Sequence, residues 1–293
     1  MTYLEIIRRG TNGLYSFWKN ELNKKQKLRL VSGFIILFVI VISGIAADII
    51  SPYDAYDTNV DSRLMPPDLA HIFGTDRLGR DIFTRAIHGS RASLSTALLS
   101  VVIALIISLP LGLISGYVGK LLDRLLTLTL DALYVFPSIF IAMIVTYLLG
   151  RSSINMALAI GFSLIPATYR VIHSITLSAK ERTFVESSRA IGASMWDTLL
   201  HCVLPQVLPS AVAITTLNLS SSIMYVSALG FLGLGIPPPI PEWGTDISEN
   251  RQAVINGYWW NILPGLMIIV TIIGILLIGD VLDEIVNPKL KKE

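Results

Sequence analysis

The sequence predicts an all-α membrane protein with six transmembrane helices, and three observations lead there. Hydrophobic residues make up 53% of the 293 positions and charged residues 15%, where a soluble domain carries about a quarter charged. The apolar residues are gathered into runs, and a helix needs about 20 such residues to cross a bilayer. The basic residues fall to one side of those runs. With both termini in the cytoplasm, all nine lysines and seven arginines lie inside, sixteen against the seven arginines outside. The reverse orientation violates the positive-inside rule.

Residues 1–29 form a basic cytoplasmic tail, with Arg8, Arg9, Lys19, Lys24, Lys25, Lys27 and Arg29. Phe17 and Trp18 suit a short stretch lying along the membrane surface. Residues 30–50 are too long for the core of a signal peptide and lack a small-residue cleavage site, so they are expected as a retained first span. Residues 51–92 form a polar, turn-rich extracytoplasmic loop. Within it Gly74-Thr75-Asp76 reads as a turn and Asp81 as the start of a helix. Asp76, Arg77, Arg80, Asp81, Arg85 and Arg91 are placed to pair locally.

The rest, 93–286, is expected as a five-helix core, followed by a cytoplasmic tail at 287–293. Its first helix covers about 95–118 and contains Pro110, Gly112 and Gly116, residues that membrane helices tolerate. Gly119-Lys120 is no phosphate loop, because Ile114 and Leu121 stand where Gly and Ser or Thr are required. The next span, about 125–149, holds Asp131 and then Phe136-Pro137. An acid inside an apolar segment is usually functional or paired. Asp131 is expected to lock helices together, with Arg124 able to share its face and cargo contact as the other reading. A fourth span ends near 177 after Pro166, Arg170 and His173. A fifth, about 209–230, carries Thr215, Thr216, Asn218, Ser220, Ser221 and Ser222. Such a helix lines a polar path or bonds to a neighbouring helix. An external loop at 231–261 follows, rich in Gly and Pro, with Trp243, Trp259 and Trp260 suited to the membrane interface. The last span opens at Pro264-Gly265.

Between the fourth and fifth spans lies the polar stretch 181–205, within a cytoplasmic loop at 178–208. Glu181, Arg182, Glu186, Arg189, Asp197 and His201 bar it from hydrocarbon. It reads as two short amphipathic helices broken at Gly192. One apolar face is expected from Phe184, Val185, Ser188 and Ile191, another from Met195, Trp196, Leu199, Leu200 and Val203. Pro205 is expected to stop the second helix. Such a bracket suits docking into a groove on another protein.

Three stretches resemble one family. Glu186, Ala190, Gly192 and Leu204-Pro205 resemble the EAA loop of ABC importer permeases, with Ser187 and Ser188 as the small residues after the Glu. The segment HIFGTDRLGRD at 71–81 is similar to the signature of the dipeptide, oligopeptide and nickel permeases, with Ile72 in place of the usual proline. The segment FLGLGIPPPIPEWG at 231–244 is similar to the same branch. The resemblance implies the ABC importer type I permease fold. It implies a heterodimer with a homologous permease, one or two ABC ATPase subunits that carry ATP and Mg, and an extracytoplasmic substrate-binding protein. It implies ATPase coupling through Glu186, Ser187, Ser188, Ala190, Gly192, Met195, Trp196, Leu199 and Pro205. Asp131, Thr216, Asn218, Ser221 and Ser222 are candidates for the pathway. Peptide is the expected cargo, with nickel or a metallophore as the alternative. No cofactor, metal, catalytic residue or nucleic acid is expected on this chain.

Other classes fit less well. His71, His88, His173 and His201 are scattered over both sides, and no HExxH or Gly-x-Ser-x-Gly occurs, which disfavours a membrane enzyme. Inverted repeats are not evident and few acids lie mid-membrane, which disfavours a stand-alone secondary transporter. The single cysteine, Cys202, allows no intramolecular disulfide.

Overall fold

The computed structural model describes residues 22–286. The expected surface stretch at Phe17-Trp18 and the tail 287–293 lie outside the described residues. Helix α1, Lys24–Ile45, starts at a capping box: Asn23 Oδ1 accepts from the Gln26 backbone N–H at 2.8 Å, and Gln26 Oε1 accepts from that of Asn23 at 3.0 Å.

Helix α2 runs over Ile82–Val118, with Asp81 accepting from the Thr84 N–H at 2.7 Å. Its 37 residues span about 55 Å at 1.5 Å each, against about 30 Å of hydrocarbon. The excess lies at its N-terminal end, which stands within a polar knob built from the 51–81 loop and residues 231–262.

The expected straight span at 125–149 is instead two helices, α3 (Lys120–Tyr134) and α4 (Ser138–Leu149), bent by 91° at the break. Pro137 is the cause: it supplies no N–H and disfavours the α conformation at the residue before it. Among the described residues, five helices are long and apolar enough to cross a membrane, or six if this bent pair counts as one span.

Helix α5, Ser153–Lys180, runs through Pro166 and packs most extensively on α2. A Cβ on Gly161 would lie 2.8 Å from the Ser100 carbonyl oxygen, so only glycine permits this approach. Helix α6 covers Thr183–Ala190. Helix α7 is continuous over Met195–Phe231, which corrects the expected stop at Pro205. A π turn spans Thr198–Val203, and Pro205 falls in the first turn of the α segment that begins at Leu204, where its missing N–H is tolerated.

The stretch expected as external loop contains helix α8, Trp243–Ile255, and a short turn at Trp259–Ile262, before α9, Leu263–Val286. The main core joins Ala97, Val101, Ile160, Leu164, Ile223, Leu229, Trp243 and Ile275. Trp243 and Trp260 are therefore corrected from interface residues to buried ones. Their indole N–H groups donate to the carbonyls of Ala86 at 2.8 Å and Thr75 at 3.3 Å. Trp259 alone of the three is exposed.

Candidate functional site

The bracket between α5 and α7 is held firmly from beneath. Val185 of α6 is fully buried and packs with Leu199, Val203 and Val207 of α7, Ile172 and Ala179 of α5, and Leu113 of α2. Polar contacts fix the rim. Arg189 Nε donates to the Tyr117 hydroxyl at 3.1 Å, and its guanidinium lies 4.7 Å above that ring. Lys180 Nζ donates to the Gly116 carbonyl at 3.2 Å. Ser194 caps α7 by accepting from the Asp197 N–H at 3.1 Å.

The break at Gly192 is a left-handed turn with φ of +86° and nothing within 4 Å of where a Cβ would stand. Glycine is needed there for the backbone angle, not for space. The Glu186 side chain is exposed and, among the described residues, makes no hydrogen bond.

The two expected apolar faces are rotated. In α6, Val185 and half-buried Ser188 point inward, while Phe184 and Ile191, seven positions apart, point outward. In α7, Leu199 and Val203 are buried, whereas Met195, Trp196 and Leu200 are exposed. The π turn adds a residue to the helix there, and a 3.6-residue period no longer predicts the face. The outer surface thus carries Phe184, Ile191, Met195, Trp196 and Leu200 around Glu186, Ser187, Ala190 and Gly192. Leu199 faces the bundle, and Pro205 is partly buried inside α7.

Asp131 is paired, but not with Arg124: its Oδ1 accepts from Arg170 Nη2 of α5 at 2.6 Å, and Arg170 also lies 4.1 Å over the Tyr134 ring. Asp123 Oδ1 meets His173 Nε2 at 2.7 Å, and the Tyr169 hydroxyl bonds Ser115 at 2.9 Å and Thr127 at 3.0 Å. Polar rungs therefore tie α3 to α5. On α7, Asn218 Nδ2 donates to Thr168 Oγ1 of α5 at 2.8 Å, a helix–helix bond inside the chain. Thr216 returns its hydroxyl to the Val212 carbonyl at 3.0 Å. Ser221 is half-buried, and the buried hydroxyls of Ser220, Ser222 and Ser227 find no hydrogen-bond partner among the described residues.

The knob is held by charges that sequence reasoning paired too locally. Arg80 reaches Asp76 at 2.6 Å, but also Glu249 of α8 at 2.8 Å. Arg85 pairs with Asp246 of α8, with both side chains 3% exposed. Asp81 pairs with His71 at 2.9 Å, and Arg91 with Asp48 at 2.8 Å. Glu242, wholly buried, accepts from the N–H groups of Gly244 and Thr245, each at 2.8 Å. Burial raises its carboxyl above the ordinary range despite those donors. The acidic residues of 242–249 were not singled out from sequence. Their signal was present in three acids within eight positions beside a tryptophan.

A bent-helix bundle with a seated bracket at one end and a charge-welded knob at the other is the fold of an ABC importer permease. A chain of the inward-facing MetNI methionine ABC transporter shares it, with a TM-score of 0.51, 20% identity, and coverage of 69% of this chain and 94% of that one. The chain belongs to the family of binding-protein-dependent transport system inner membrane components, whose pattern matches residues 108–292, and residues 24–67 match the N-terminal TM domain of oligopeptide transport permease C. It is 37% identical to the dipeptide transport system permease protein DppC of Alkalihalophilus pseudofirmus, over 92% of this chain and 88% of that protein. It is 36% identical to the di/tripeptide permease protein DppC of Pseudomonas aeruginosa, over 95% of this chain and 93% of that one. The glutathione permease protein GsiD of Escherichia coli is 36% identical, over 94% and 91%. The chain is thus a multi-pass membrane transport subunit of an ABC importer.

Proposed function

We propose that this permease forms half of the translocation path of an ATP-driven peptide importer, with the 181–205 bracket as its coupling element. The observation that carries the reading is the bracket itself: seated on a packed base, yet presenting Phe184, Ile191, Met195, Trp196 and Leu200 to the outside. A surface that must transmit displacement needs a stiff base and an apolar face for a partner. The partner is an ABC ATPase subunit that holds the ATP and Mg. Glu186, Ser187, Ala190 and Gly192 lie at the contact, and Leu199 and Pro205 support it from behind. Both termini and the bracket lie in the cytoplasm, in keeping with the distribution of lysine and arginine. A homologous permease completes the path, and a substrate-binding protein docks on the knob. Peptide cargo follows from the three relatives, whose names specify dipeptides, di/tripeptides and glutathione.

The test is site-directed cross-linking from Trp196→Cys in membranes of transporting cells. Capture of an ATPase subunit is expected. Modification of that cysteine only by reagents confined to the exterior would overturn the assignment.

A further inference from the structure

At the knob end, beside the C-terminus of α7, lies an open-mouthed recess of about 570 Å³. Small-molecule sites occupy roughly 300–1,000 Å³. Its lining comes from two elements: Phe231, Leu232 and Gly233 at the end of α7, and Ser248, Glu249 and Arg251 along α8, with Arg77 of the knob loop at the edge. Two of these groups are cationic and one is anionic, and the anion is already engaged. Glu249 accepts from Arg80 at 2.8 Å and from Arg77 at 3.2 Å. Burial would raise its carboxyl, but those two guanidinium groups outweigh burial and hold it below the ordinary range.

Arg251 is different. It is exposed on α8 and, among the described residues, makes no hydrogen bond or ion pair. Arg77 is half-exposed and has donors beyond its one contact with Glu249. The recess thus offers an unspent guanidinium beside the apolar surface of Phe231 and Leu232. A planar fork of donors matches a carboxylate in two-point geometry.

We infer that this recess receives the C-terminal carboxylate of a short peptide, with Arg251 as its counter-ion and Phe231 and Leu232 against the last side chain. The inference rests on the peptide-importer reading and sharpens it: free divalent nickel would be repelled by the same two guanidinium groups. The recess opens where α7 ends, so cargo released from a docked binding protein would meet it first.

The test uses the whole importer, purified into nanodiscs by a tag on this chain, with no binding protein added. Saturation-transfer NMR measures binding of the dipeptide Ala-Phe, of its C-terminal amide, and of citrate. The free dipeptide is expected to bind about tenfold more tightly than its amide, the size of one charge-assisted contact. Arg251→Gln should bring the dipeptide down to the amide's level and leave the amide unchanged, while Arg251→Lys retains part of the preference. Citrate, with the charge but no apolar residue, should bind more weakly than the dipeptide. Equal binding of dipeptide and amide to the native importer would overturn the inference, as would an Arg251→Gln importer that binds both as the native one does. Citrate bound as tightly as the dipeptide would reassign the recess to carboxylate chelators. Peptide uptake by intact cells is measured alongside. Intact uptake with no carboxylate preference sinks the recess alone, whereas no uptake of any peptide sinks the cargo reading.

Discussion

Arg189 of the bracket and Tyr117 at the end of α2 are joined twice, by a 3.1 Å hydrogen bond and by stacking at 4.7 Å. Seventy-two positions separate them in the chain, so the pair fastens the bracket to a spanning helix outside its own hairpin. In the proposed coupling, this contact is one route by which displacement of the bracket would reach α2. Tyr117→Phe removes the hydrogen bond and keeps the ring that packs against the apolar base around Val185, so the protein should stay folded in the membrane. The substitution should lower the amount of cargo moved per ATP hydrolysed by a few-fold. Measuring transport and hydrolysis together in proteoliposomes checks this, and an unchanged ratio would show that the strut is dispensable.

The outer face adds little to the fold, and under the proposed coupling it supplies affinity for the ATPase. Trp196 is 58% exposed and Leu200 52%, so truncating them to alanine removes little that the isolated subunit buries. Buried in a partner, such aromatic anchors are worth about 2 kcal/mol or more. Trp196→Ala should therefore cut co-purification of the ATPase sharply while membrane levels stay normal. Leu199→Ala, by contrast, should lower the amount of folded protein, because Leu199 belongs to the packed base.

Gly192 tests the shape of the turn. Its φ of +86° is closed to proline, whose ring fixes φ near −65°, and costs another residue about 1–3 kcal/mol. Gly192→Pro should leave a membrane-inserted permease with no coupled uptake. Glu186→Arg should do the same by a different route, since among the described residues the exposed Glu186 side chain makes no hydrogen bond and, in the proposed coupling, its charge faces the partner. Normal uptake by both variants would remove the bracket from the mechanism.

Asp131 is held by Arg170 at 2.6 Å, but both side chains are about half exposed. A pair that open adds little to the stability of the fold. Asp131→Asn should thus barely shift the thermal transition. If transport falls nonetheless, the residue acts along the pathway. If both stay unchanged, it is only a clasp between α3 and α5.

Much of this architecture can be read from the chain because local rules dictate it. Charged residues between two apolar runs force the bracket into water, and Gly192 marks its turn. The errors occur where distant partners or a changed period decide. The π turn at 198–203 rotated Leu199 inward, which no count at 3.6 residues per turn could foresee. Trp243 and Trp260 follow a rule for interfacial tryptophans until the knob closes over them. Arg80 and Arg85 have acids nearby in sequence, yet Arg85 pairs with Asp246, and Arg80 is shared between Asp76 and Glu249. The bent α3–α4 pair was signalled by Phe136-Pro137, but an unbroken apolar run outweighed that signal.

The knob should respond to pH through Asp246. Its carboxyl is pushed up to about 7, chiefly by burial and against the opposing pull of Arg85. One oxygen, Oδ1, takes the Arg85 bond at 3.1 Å from Nε, while Oδ2 is buried with no partner among the described residues. A carboxyl raised in the folded state binds its proton more tightly there than in the unfolded chain. The stabilisation is complete below the ordinary carboxylate range and is lost as pH rises through about 7. Protection factors of amides in α8 and in the 259–262 turn, taken relative to the intrinsic exchange rate at each pH, should therefore fall between about pH 4 and pH 7. Asp246→Asn keeps an oxygen for Arg85 but cannot titrate. Like the protonated acid it is neutral, so protection should stay near its low-pH level and its slope across this range should flatten. A variant that keeps the native slope would show that another group governs the knob.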